Sequence, residues 1–150
     1  MHSDKPRILS EYLGREVKFI PIDYTKNNNY EELSTILQDA DFIIASSTGA
    51  VFGRYVAHKY NISLISLNPV ISIEKTFTKM GVPVPLIPDS DAVLSEIVFI
   101  NKDDGLINYR DTLKKYKKRA VVFNVGGHGF FNLIETIPPM KKFMKENFSL

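Results

Sequence analysis

Five short runs rich in Ile, Val and Phe, with helical periodicity between them, constrain this chain more than any other feature. They fall at residues 17–22, 42–46, 63–68, 96–101 and 120–125. Each is too short for a core helix and is bounded by turn-forming residues, so buried strands are predicted. Helical patterns occupy 6–13, 30–40, 49–60, 106–116 and 138–148, the last with Pro138 and Pro139 in its first turn, where a missing N–H costs nothing. Strands that alternate with helices predict a parallel sheet covered on both faces. The expected fold class is therefore α/β: a three-layer α/β/α sandwich with a mostly parallel sheet of about five strands. Residues 70–91 interrupt the rhythm. Ile71 to Met80 reads as a helix, but Pro83, Pro85 and Pro88 forbid one beyond it. That excursion is expected to form either a small cap over the strand ends or an extended surface connection.

In sheets of this kind chemistry collects on loops after the C-terminal ends of strands. The second run ends in Ala45-Ser46-Ser47-Thr48-Gly49-Ala50, small residues leading directly into a helical pattern. This has the form of a nucleophile elbow, G-x-S-x-G, with Ala45 at the first Gly position and Ser47 at the apex. Residues two before and two after the apex must be small to avoid collision across so sharp a turn, and Ala45 and Gly49 are. The N–H of Thr48, at the start of a helix, would stabilise a developing oxyanion. A tight packing turn of the sort found in nucleotide-binding and flavodoxin-like domains fits the same residues.

A serine hydroxyl needs a base, and the base needs an orienting group. Later strand ends offer both in the order Ser, acid, His: Ser47, then Asp103 or Asp104, then His128 among Gly126, Gly127 and Gly129. Of the other two histidines, His2 is terminal and His58 lies within a helical pattern. Asp104 is preferred as the acid. Asp103 is expected to do capping work for the helix that follows.

Composition excludes several alternatives. The chain has 150 residues, the length of one domain, 1–150, and is 44% hydrophobic, enough for a core. It has no Cys, which removes disulfides, thiolate metal sites and a Cys nucleophile. Three scattered histidines give no metal-ligand spacing, and neither a metal nor a cofactor is expected. Net charge is +2, so the basic run Lys114-Lys115-Tyr116-Lys117-Lys118-Arg119 reads as a solvated helix end rather than a nucleic-acid surface. No apolar stretch approaches a membrane span, and Met1 to Pro6 lacks a signal-peptide core. A cytoplasmic protein without a membrane or nucleic-acid partner is expected.

Together these segments resemble the small bacterial YqiA-type esterases, a compact branch of the α/β hydrolases. The strongest block runs from Ala45-Ser46-Ser47-Thr48-Gly49-Ala50 to Ser66-Leu67-Asn68-Pro69-Val70. The others are Asp104-Gly105-Leu106-Ile107-Asn108-Tyr109-Arg110 and Gly126-Gly127-His128-Gly129-Phe130. The resemblance implies a minimal α/β-hydrolase fold and hydrolysis of small carboxylic esters. It assigns Ser47 as nucleophile, Asp104 as acid and His128 as base, and puts Asn68 and Pro69 in the substrate pocket wall. It also implies an N-terminal strand and His-Gly oxyanion loop that have no counterpart here. Three readings follow: a start set too far downstream; a gap covered by Met1 to Ser3 or by a second chain, as in a homodimer; or an impaired relative that binds a ligand or partner.

Overall fold

A computed structural model describes residues 4–85 and 95–147. Its sheet has four strands: β1 (Phe42–Ser46), β2 (Ser63–Leu67), β3 (Glu96–Asn101) and β4 (Ala120–Phe123). They lie side by side in sequence order, and all three pairings are parallel. Among the described residues there are six α-helices: α1 (Lys5–Leu13), α2 (Asn29–Leu37), α3 (Gly49–Tyr60), α4 (Ile73–Met80), α5 (Tyr109–Tyr116) and α6 (Ile137–Asn147).

Strand order explains where the helices go. Each step from β1 to β4 is a crossover in the same direction, and parallel crossovers share one hand. The connecting helices α3, α4 and α5 therefore fall on one face. There Val51, Phe52 and Val56 of α3 and Phe77 of α4 pack on Ile43, Ala45 and Leu64, while Tyr116 of α5 meets Val98 and Ile100. The chain ends cover the other face, where Leu9 of α1 and Met140, Phe143 and Met144 of α6 pack with Ile65, Leu67 and Phe99. This arrangement is compatible with three α/β/α layers.

The expected fifth strand is absent. Residues 17–22 run without ladder partners among the described residues, and the sheet has four strands rather than five. Val17 donates its N–H to Ser10 Oγ at 2.9 Å. Its side chain joins the α1/α6 cluster, whereas Ile20 and Ile22 join the α3 cluster, so the segment straddles the sheet edge. Apolar burial satisfied these side chains without a hydrogen-bonded neighbour. Helix α5 is also shorter than expected: it starts at Tyr109, capped by Asn108, whose side chain accepts from Arg110 N–H. Asp103 therefore has no part in capping it. Of the 70–91 excursion, Ile73–Met80 is helical and seats Phe77 between Tyr24 and Phe52; residues 86–91 lie outside the described residues.

Candidate active site

Four parallel strands deliver four loops to one end of the sheet. Ser47 follows β1, Asn68 follows β2, Asp103 and Asp104 follow β3, and His128 follows β4. Ser47 sits at a left-handed backbone angle, φ 54°, which a non-glycine residue adopts at a cost of about 1–3 kcal/mol. Its backbone is tied down to offset that cost. Ser47 N–H donates to Leu67 C=O at 2.9 Å, and Ser47 C=O accepts from Ala50 N–H at 3.1 Å and Val70 N–H at 3.2 Å. The strand before and the helix after are thereby held at a sharp angle with the hydroxyl at the apex.

The space restriction around this turn differs from expectation. A Cβ on Gly49 would make only ordinary contacts, 3.8 Å from Ile22 Cδ1 and from Tyr24 Oη. A Cβ on Gly53 would stand 2.8 Å from Ala45 Cβ. Ala45 must be small because one turn into α3 the helix backbone lies directly on it, not because of residue 49.

Ser47 Oγ lies 2.8 Å from His128 Nε2, and His128 Nδ1 lies 2.8 Å from Asp104 Oδ2. An ionised carboxylate only accepts, so Nδ1 carries the proton and Nε2 is left to accept from the serine. Asp104 is almost wholly enclosed, with 1% of its side chain exposed, against 27% for His128. Its second oxygen, Oδ1, accepts from Leu106 N–H at 2.8 Å and Ile107 N–H at 3.1 Å. One carboxylate thus fixes its own loop and the imidazole. The structure brings Ser47, His128 and Asp104 into one hydrogen-bonded line.

Asp103 faces elsewhere. It accepts from Gly126 N–H at 3.0 Å and Gly127 N–H at 2.8 Å. Those bonds, Gly127 first, hold its carboxyl below the usual carboxylate range. Thr48 is the residue preceding α3, and its Oγ1 stands 4.0 Å from Met80 Sδ at the end of α4.

Asn68 and Pro69, expected in the pocket wall, are both buried. The Asn68 amide is committed to the protein: Nδ2 donates to Gly127 C=O at 3.1 Å, and Oδ1 accepts from Asn101 N–H at 3.0 Å. Sequence reasoning missed Asn101 and Asn132. Asn101, fully buried at the end of β3, donates to Gly127 C=O at 3.0 Å and exchanges two hydrogen bonds with Asn132. A polar residue closing the apolar run Ile97-Val98-Phe99-Ile100 was the available signal.

Among the described residues no group of three or more His, Asp or Glu side chains could hold a metal ion, and no helix is long and apolar enough to cross a membrane. No family model matches the chain, and no curated protein matches it.

Proposed function

We propose that this chain is a serine hydrolase that cleaves small carboxylic esters through an acyl-enzyme intermediate, on a minimal α/β-hydrolase fold. One observation carries the reading: the unbroken hydrogen-bonded line from Ser47 Oγ through His128 to Asp104, with Ser47 at a strained apex. His128 Nε2 takes the proton from Ser47 as Oγ attacks the ester carbonyl. The tetrahedral intermediate collapses, the C–O bond to the alcohol breaks, and His128 returns the proton to the departing alkoxide. Water, deprotonated by the same imidazole, then attacks the acyl group and frees Ser47. Asp104 keeps the proton on Nδ1 and stabilises the imidazolium.

The oxyanion is held by Thr48 N–H at the start of α3, where the helix dipole adds positive potential. A second donor comes from the N-terminal part of the chain, and the Tyr24 hydroxyl stands beside the first turn of α3. Asn68 and Pro69 shape the site from beneath. The substrate is a small ester, and the reaction needs no cofactor.

The test uses a fluorophosphonate probe and p-nitrophenyl acetate. Wild type is expected to be labelled at Ser47 and to hydrolyse the ester. Ser47→Ala and His128→Gln should lose turnover by about three orders of magnitude or more. An unlabelled wild type that hydrolyses no faster than Ser47→Ala would leave a ligand- or partner-binding protein in its place.

A further inference from the structure

The loop that carries His128 is held almost without side chains of its own. Gly126, Gly127 and Gly129 have none, and Val125 is 71% exposed. Its apolar anchor, Phe130, comes only after the histidine. Yet the imidazole has to stand 2.8 Å from two partners on two other loops. Its placement must come from backbone polar groups.

Those groups converge on three side chains from the ends of β2 and β3. Asp103 takes the N–H of Gly126 and Gly127, while Asn68 and Asn101 both donate to Gly127 C=O. Asn101 is locked by Asn132 through a reciprocal amide pair at 3.0 and 2.9 Å. The loop backbone lies directly on these amides: a Cβ on Gly126 would stand 2.0 Å from Asn132 Oδ1 and 2.5 Å from Asn101 Nδ2. A buried amide is costly unless its partners are supplied, and a strand end that only needed packing would do better with an apolar side chain. Here every Asn101 amide group has a partner, and the cost is offset by fixing one loop.

We propose that Asn68, Asn101 and Asp103 are positioning residues that clamp the 126–129 loop and so set His128 between Ser47 and Asp104. They touch no reacting atom and act through the imidazole. Together these bonds hold the loop in one arrangement, and losing one lets the imidazole drift even in protein that still folds. Displacements on the order of 1 Å at a reacting group cost up to about a hundredfold in rate.

The kinetic part rests on the esterase reading; the spectroscopic part does not. In protein with 15N-labelled histidine, the Nδ1–H proton of His128 should appear well downfield because it is donated to Asp104. Asp103→Ala, an exposed substitution, and Asn101→Ala should broaden or shift that resonance. They should slow fluorophosphonate labelling of Ser47 by about ten- to a hundredfold and lower kcat, with KM for p-nitrophenyl acetate unchanged. Asp103→Asn, which keeps an acceptor oxygen, should recover part of both signals. An unchanged resonance and unchanged kcat in folded Asp103→Ala would overturn the clamp, whatever Asn101→Ala does. If wild type itself neither labels nor hydrolyses, the esterase reading fails, and the His128 resonance alone still decides the clamp.

Discussion

Ser47 is the residue at which the fold and the proposed chemistry meet. Its left-handed angle is maintained by three backbone hydrogen bonds to β2, α3 and the loop after β2. The strained turn presents the half-buried hydroxyl to His128 while its backbone is tied to its neighbours. The adjacent pair Asp103 and Asp104 divides two tasks: Asp104 meets the imidazole, and Asp103 meets the loop that carries it. Tyr24 belongs to the same scale. Its ring lies against Phe52 and Phe77, and burial pushes its phenol above the ordinary value, so it stays a neutral O–H donor at working pH. If that hydroxyl is the second oxyanion donor, Tyr24→Phe removes one hydrogen bond and little packing. Under the esterase reading kcat for p-nitrophenyl acetate should fall by about a hundred- to a thousandfold with KM little changed. A Tyr24→Phe protein with wild-type kcat would assign the donor elsewhere.

At the scale of elements, the contact between α3 and β1 sets the elbow angle. Gly53 leaves no room for a side chain: its Cβ would stand 2.8 Å from Ala45 Cβ and 3.5 Å from Ile43 Cγ2. Neither atom is the far end of a flexible chain, so α3 would have to lift off the strand. Overpacking of this kind costs about 1–3 kcal/mol, against a helix-propensity gain of roughly 1 kcal/mol for Ala over Gly. Gly53→Ala should lower the urea midpoint and slow Ser47 labelling, and adding Ala45→Gly should restore both. A midpoint unchanged by Gly53→Ala would show that α3 rests less tightly on β1. The sequence made this element pair legible in part. The 49–60 helix and the 42–46 strand match the structure residue for residue, because a strong apolar pattern and a tight turn leave little freedom. Which glycine carries the close approach was not legible, since it depends on the helix's tilt across the strand. Residues 17–22 misled for a related reason: an apolar run reports burial, and here burial at the sheet edge came without a pairing strand. The Ser, Asp and His positions were legible because parallel strands put all their C-terminal ends together. The Asn68–Asn101 contacts were not, because nothing in spacing says which strand-end amides face the same loop.

Across the whole molecule the two ends of the sheet carry different polar chemistry. Opposite the Ser47 end, Glu96 opens β3 with its side chain fully buried, paired with Arg54 of α3 and reached by Arg119 at 3.4 Å. Arg54 also meets Tyr116 of α5, so this cluster joins two helices to the sheet. The Arg54 guanidinium is incompletely satisfied: its Nη1 is buried with no hydrogen-bond partner among the described residues. Burial pushes Glu96 above the ordinary 4.5, and the Arg54 and Arg119 charges only partly oppose it. A carboxyl raised on folding contributes stability that is complete below pH 4.5 and is lost as pH climbs through its folded value. Asp103, held low by its loop N–H groups, works in the opposite sense: its contribution is present above 3.8 and is lost as pH falls. Glu96→Gln should therefore flatten the decline in stability just above pH 4.5. At neutral pH Glu96→Leu, which leaves the Arg54 guanidinium with no carboxyl or amide oxygen to meet, should destabilise the fold by about 3–5 kcal/mol. Replacing both partners, Glu96→Leu with Arg54→Met, removes the stranded charge and should return the urea midpoint close to wild type or above it. If Glu96→Leu alone were neutral at pH 7 and the double variant no better, the ion pair would not brace α3 and α5 against β3.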